Sequence, residues 1–184
     1  MRDGFLLDPD VVQLNHGSFG ACPIPVFEEY QRIQRELEEG PTDFFTRKVA
    51  RWFWGDLERP GRMAEARASL ASFLGVRAED LVFVPNATSG LNAVIRSLSL
   101  EPGDEVLTTA HEYGAITMTW EFAGATLVVC EPEEIVSRIG PRTRAVSVSH
   151  VTSPTALVFP VEEICAAARA AGVLAIVDGA HAPG

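Results

Sequence analysis

Val161-Glu162-Glu163-Ile164-Cys165-Ala166-Ala167-Ala168-Arg169-Ala170-Ala171-Gly172-Val173-Leu174-Ala175-Ile176-Val177-Asp178 decides the fold. The stretch from Val161 to Ala171 has helical character and stops at Gly172, a usual residue just past a helix end. The apolar run Val173–Val177 then follows without a polar break, the pattern of a strand buried on both faces. It ends on a carboxylate, Asp178, and leads into Gly179-Ala180-His181.

The same alternation continues upstream. Leu81-Val82-Phe83-Val84-Pro85 is a short apolar run, followed by a helical pattern with Leu91, Val94, Ile95 and Leu98. Glu105–Thr109, a helical stretch through Trp120, Ala125–Cys130 and Ala145–Ser149 complete the series. Short β-rich runs separated by helices predict an α/β fold, with a mostly parallel sheet covered by helices on both faces.

The first part of the chain reads differently. Val11–Leu14 is a candidate short strand, and Asn15-His16-Gly17-Ser18-Phe19-Gly20 a glycine-punctuated loop. A helix is expected from Pro25 to the stop at Gly40-Pro41, carrying Phe27, Tyr30, Ile33 and Leu37 at near-helical spacing. A second, from Thr42-Asp43, carries Phe44, Phe45, Trp52, Phe53 and Trp54, suited either to core packing or to a subunit interface. A third runs from Ala64 to Leu74 and ends at Gly75. The expected organisation is a helical segment with a loop over residues 1–75 and a sheet-containing domain over 76–184.

Composition bounds the function classes. With 184 residues, 47% of them hydrophobic and 22% charged, the chain is an ordinary globular sequence rather than a disordered one. A formal net charge of -10 disfavours a nucleic-acid partner. Its longest apolar runs are far shorter than the ~20 residues of a membrane span. Met1-Arg2-Asp3-Gly4 lacks the apolar core of a secretory signal, and Cys22, Cys130 and Cys165 lack metal-type spacing, so a reduced cytoplasm is the expected compartment. No metal site is expected.

In open α/β sheets ligands bind beyond the carboxyl ends of the strands. Asn86-Ala87-Thr88-Ser89-Gly90 follows the 81–85 run and opens a helix; free backbone N–H groups, the positive dipole end and the two hydroxyls suit a phosphate, while plain capping is the alternative. Neither a G-x-G-x-x-G fingerprint nor a G-K-[ST] loop occurs, which disfavours a Rossmann-type nucleotide or flavin binder. Ala110-His111-Glu112-Tyr113 sets two rings and a carboxylate at the next strand end, and either ring suits stacking on a planar ligand. His150-Val151-Thr152-Ser153-Pro154-Thr155 is a hydroxyl-rich turn. Asp178, ending an apolar run, is expected to be partly buried and to need a cation or donors around it. A phosphate nest, a stacking ring and a buried acid on neighbouring strand ends match what pyridoxal 5'-phosphate (PLP) requires: an anchored tail, a covered ring face and a protonated ring nitrogen.

The motifs Leu14–Gly20, Asn86–Asn92, Glu112–Ala115, His150–Thr155 and Val177–Gly184, in this order, resemble the N-terminal half of class V aminotransferase-fold (fold type I) PLP enzymes. The similarity is greatest to the isopenicillin N epimerase-like branch, with cysteine desulfurases as more distant relatives. The resemblance implies an incomplete fold type I large domain. It implies that Ala87 and Thr88 bind the cofactor phosphate, that Tyr113 stacks on the pyridine, and that Asp178 pairs with the ring nitrogen. It places His181 and Ser153 near the phenolic oxygen, and Asn15, His16 and Arg47 on the substrate side. The implied activity acts on a small amino-acid-like substrate through an external aldimine, as an epimerase, C–S lyase or aminotransferase, in a homodimer.

Such enzymes hold the cofactor as a Schiff base to a lysine some tens of residues beyond the Asp178 motif. The only lysine here is Lys48, far upstream and outside every strand-end motif. The expectation is therefore an N-terminal portion that is inactive alone, the competing reading being a non-catalytic binding or dimerisation module that retains the cofactor motifs.

Overall fold

A computed structural model describes residues 2–49 and 61–183. Two units divide the chain, Met1–Phe83 and Val84–Gly184.

The first unit is helical. A short helix α1, His16–Phe19, is capped by Asn15, whose Oδ1 accepts the Ser18 amide at 3.1 Å. Helix α2, Ile24–Glu39, begins with Pro25 in its first turn, where the missing N–H costs nothing, and closes at Gly40. Helix α3, Pro41–Asp43, passes into a π-helical turn, Phe44–Val49. Phe44 is buried and meets the exposed Phe45 edge-on at 5.6 Å, whereas Trp52, Phe53 and Trp54 lie outside the described residues. Helix α4, Arg62–Leu74, ends at Gly75, whose φ of 70° is the left-handed conformation a terminating glycine supplies without steric cost. The candidate strand at 11–14 is not formed: Val11, Val12 and Leu14 remain exposed, with no strand to pair against among the described residues.

The second unit carries the sheet. After helix α5, Ala87–Ser97, come β1, Glu105–Thr108; helix α6, Gly114–Phe122; β2, Thr126–Val129; a short helix α7, Ile135–Arg138; β3, Thr143–Ser149; helix α8, Val161–Ala170; and β4, Leu174–Asp178. The four strands are all parallel, in the order β2-β1-β3-β4. Residues 81–85 do not join it. A strand needs a hydrogen-bonded neighbour, none is present among the described residues, and Val82, Phe83 and Val84 stay exposed.

Period-two alternation in the strands divides the core between two faces. Val106, Ala145 and Ile176 face one way and pack with Ile95 of α5 and Ile116 and Trp120 of α6. Leu107, Val146 and Val148 face the other way and pack with Ile135 of α7 and Ile164 and Ala168 of α8. The sheet is therefore covered on both sides, as its apolar runs predict.

Because the strands are parallel, the turns after β1, β3 and β4 leave from one edge. Helices α5 and α6 start at that edge and run side by side: Asn92 Nδ2, in the second turn of α5, donates to Thr119 Oγ1, in the second turn of α6, at 2.9 Å and to the Thr88 carbonyl at 3.1 Å. Asn92→Ala removes both bonds and is expected to lower stability by about 1 kcal/mol. Denaturant midpoints check this, and an unchanged midpoint would leave the helix alignment to apolar packing alone.

Candidate active site

The carboxyl edge of the second unit gathers the polar groups. At α5 the cap is Asn86, whose Oδ1 accepts the Ser89 amide at 2.8 Å, so capping does not consume the hydroxyls of Thr88 or Ser89. Among the described residues nothing accepts the amide protons of Ala87 and Thr88, as expected for the first turn of a helix. Gly90 allows the preceding chain to fold close, since a Cβ there would sit 3.3 Å from Val84 Cγ2.

The turn after β1 separates the two rings. His111 lies edge-on to Phe159, with centroids 6.1 Å apart, and is a packing residue. Tyr113 occupies the position before α6, is 47% exposed and makes no ring contact among the described residues, so its face is available to a planar ligand.

Between these turns lies Glu112, to which the sequence alone assigned no role beyond a carboxylate at a strand end. It is buried, and its Oε1 accepts both the Ser149 hydroxyl at 2.6 Å and the Tyr113 amide at 2.7 Å. Its Oε2 is buried without a partner among the described residues. Burial, and then the charge of Asp178, push the Glu112 carboxyl above its ordinary range, against the two hydrogen bonds that favour the anion. The available signal was a carboxylate within the turn that directly follows a buried strand.

After β3 the backbone closes a compact turn. His150 donates its amide to the Asp178 carbonyl at 2.8 Å, Val151 bridges Val158, and Ala156 takes the left-handed conformation with φ 53°. Thr152 is buried and serves this turn, sharing a hydrogen bond with Thr155 Oγ1 and accepting the Leu157 amide. Ser153 lies exposed within the turn. Asp178 pairs in register with Ser149 and is only 8% exposed; its Oδ1 accepts the Ala180 amide at 2.9 Å, and no described residue donates to Oδ2. His181 is exposed in the turn that follows.

Ala87, Thr88, Tyr113, Ser153, Asp178 and His181 thus all belong to the second unit: the first two in the opening turn of α5, Tyr113 just before α6, Asp178 at the end of β4, and Ser153 and His181 in the turns after β3 and β4. Asn15, His16 and Arg47 belong to the first unit. There Asn15 caps α1, His16 Nδ1 accepts the Ala21 amide at 3.3 Å, and Arg47 pairs with Asp43 at 3.1 Å. Lys48 is held by Glu36 at 2.9 Å, and the Glu36 carboxyl is pushed down to about 2 by hydrogen bonds from Arg62, Lys48 and Arg32. No cluster that could hold a metal ion occurs among the described residues, and no described helix is long and apolar enough to cross a membrane.

The chain is an α/β protein with a parallel sheet, and a helix amino terminus, an open ring face and a buried acid with one free oxygen at its edge are groups suited to a small ligand with an anionic tail and a cationic ring. The chain belongs to the aminotransferase class-V family, whose model matches residues 58–184. It is 38% identical over 198 residues to the isopenicillin N epimerase of Streptomyces clavuligerus, covering 100% of this chain and 47% of that protein. Against the isopenicillin N epimerase of Amycolatopsis lactamdurans the identity is 36% over 201 residues, covering 100% and 48%. Among solved structures, a C-DES mutant with glycine covalently linked to its PLP cofactor matches with a TM-score of 0.82 and 25% identity, over 99% of this chain and 50% of that one. The chain spans about half the length of the curated relatives it matches.

Proposed function

We propose that the full-length protein carrying this chain is a PLP-dependent enzyme that acts on a small amino-acid substrate, as an epimerase, C–S lyase or aminotransferase. Residues 76–184 form the first part of its cofactor-binding large domain. The observation that carries the reading is Asp178: a carboxylate 8% exposed, with one oxygen held by Ala180 and the other left without a donor among the described residues. An acid buried in that way wants a cationic partner, and a protonated pyridine nitrogen supplies one.

The other residues fit the rest of the cofactor. The amides of Ala87 and Thr88 and the Thr88 hydroxyl would hold the phosphate at the start of α5, where the dipole favours an anion. The exposed face of Tyr113 would cover the ring, and Ser153 and His181, both exposed on neighbouring turns, would reach toward the phenolic oxygen. Asn15, His16 and Arg47 are proposed as substrate-side residues, His16 and Arg47 with polar atoms suited to a carboxylate. When bound, PLP supplies an electron sink for a carbanion at the substrate's α-carbon. The protein's part is to orient the ring, keep its nitrogen protonated through Asp178 and fix the phosphate.

The lysine that anchors the cofactor is proposed to lie outside these 184 residues, since Lys48 is engaged by Glu36 and Asp43. The three cysteines are free thiols, which supports a reducing, cytoplasmic setting, and a homodimer is proposed for the full-length protein by analogy with its class. Borohydride reduction of the full-length protein with PLP, followed by peptide mapping, tests the reading. A cofactor-labelled lysine peptide is expected from beyond residue 184; no saturable PLP binding would refute it.

Thr88→Ala is expected to weaken PLP binding by about 1–2 kcal/mol, the scale of one hydrogen bond to a charged group. A titration of apoprotein with PLP measures it, and an unaltered dissociation constant would remove Thr88 from the phosphate site.

A further inference from the structure

Glu112, only 8% exposed, ties the start of α6 to the end of β3 at the carboxyl edge. One oxygen collects the Tyr113 amide and the Ser149 hydroxyl, at 2.7 and 2.6 Å; the other is buried with no partner among the described residues. No arginine, lysine or histidine side chain bonds to it among the described residues, so nothing cationic offsets a charge there. Asp178, which ends β4 in register with Ser149 of β3, is the charged group that acts on it. The remaining titratable groups on the elements that hold Glu112 are His111 and Tyr113 on its own turn, His150 after β3 and His181 after β4.

We infer that Glu112 is a positioning residue that works as a neutral carboxylic acid, tying Tyr113 to Ser149 while leaving Asp178 the single anion buried at the edge. Both donors fall on Oε1 and none on Oε2, so the hydrogen bonds admit this state although they also stabilise the anion; burial without a cation is what favours the proton. A carbonyl oxygen accepts two donors, as Oε1 does, and a proton on Oε2 relieves the repulsion between two carboxylates at strand ends on either side of β3. Two unpaired anions in so dry a place would cost far more than one. Fixing the Tyr113 backbone fixes where its ring begins, so the inference rests on the PLP reading for what that ring covers. The protonation of Glu112 itself does not depend on that reading.

The experiment uses the full-length protein with the variants E112Q and E112A, PLP as the probe and circular dichroism as the check of folding. E112Q keeps a neutral acceptor in the same place and is expected to bind PLP within about twofold of wild type at neutral pH and below. E112A loses both hydrogen bonds and is expected to bind about tenfold more weakly. Raising the pH is expected to weaken binding by wild type relative to E112Q, because only wild type can place a second anion beside Asp178. If E112Q binds as poorly as a folded E112A, or E112A binds as well as wild type, the inference is overturned. Should E112A fail to fold, wild type and E112Q decide the matter alone, parallel pH curves overturning it. An infrared band of a protonated carboxyl, present in wild type and lost in E112Q, is expected whether or not PLP binds. Its absence overturns the neutral acid, whereas its presence without PLP binding would fault the cofactor reading only.

Discussion

Asp178→Asn in the full-length protein is expected to lower turnover at least about a hundredfold, roughly 2.7 kcal/mol of barrier, while leaving the fold intact. Asparagine keeps an acceptor for the Ala180 amide at the Oδ1 position, so the turn after β4 has no reason to move. On the proposed pairing, what it loses is the negative charge that would favour a protonated ring nitrogen over a neutral one. A neutral ring withdraws electrons from the substrate's α-carbon less well, so the loss should fall on turnover more than on cofactor affinity. Steady-state kinetics beside a PLP titration separates the two, and turnover within a fewfold of wild type would exclude the assigned role.

Trp120→Ala is expected to be the most damaging change to stability, at about 3–5 kcal/mol. Trp120 is fully buried in α6 against Ile95, Val106, Ile116 and Ala145, and truncation leaves a void beneath the helix that carries Tyr113. Its Nε1 has no hydrogen-bond partner among the described residues, so Trp120→Phe gives back only volume and should cost clearly less. Chemical denaturation of the three proteins tests both points. Equal losses for Ala and Phe would mean that the indole N–H matters more than the ring's bulk.

The sheet was legible because its strands are buried on both faces. Runs such as Val173–Val177 admit no other reading when a helix stops at Gly172 just before them, and β4 with α8 follows that pattern closely. Leu81–Pro85 shows the limit of the same argument. Apolar content specifies a segment that suits a sheet, whereas membership depends on a neighbour's backbone, which composition does not encode. Asp178 was legible for a related reason: a charge at the end of a buried run has few places to go. Glu112 was not, because the hydroxyl that holds it, Ser149, is contributed by a strand that follows much later in the chain. Likewise the division of labour between His111 and Tyr113 depends on Phe159, which takes one ring into the packing and leaves the other open. The motifs carried the family resemblance, and the match to the class-V family model over residues 58–184 agrees with it.

The side-by-side start of α5 and α6 carries a cost of its own. Two fractional positive poles set at one edge repel, and the Asn92–Thr119 bond helps to hold them together. On the proposed phosphate site, an anion between them would be attracted by both poles at once and would offset their mutual repulsion.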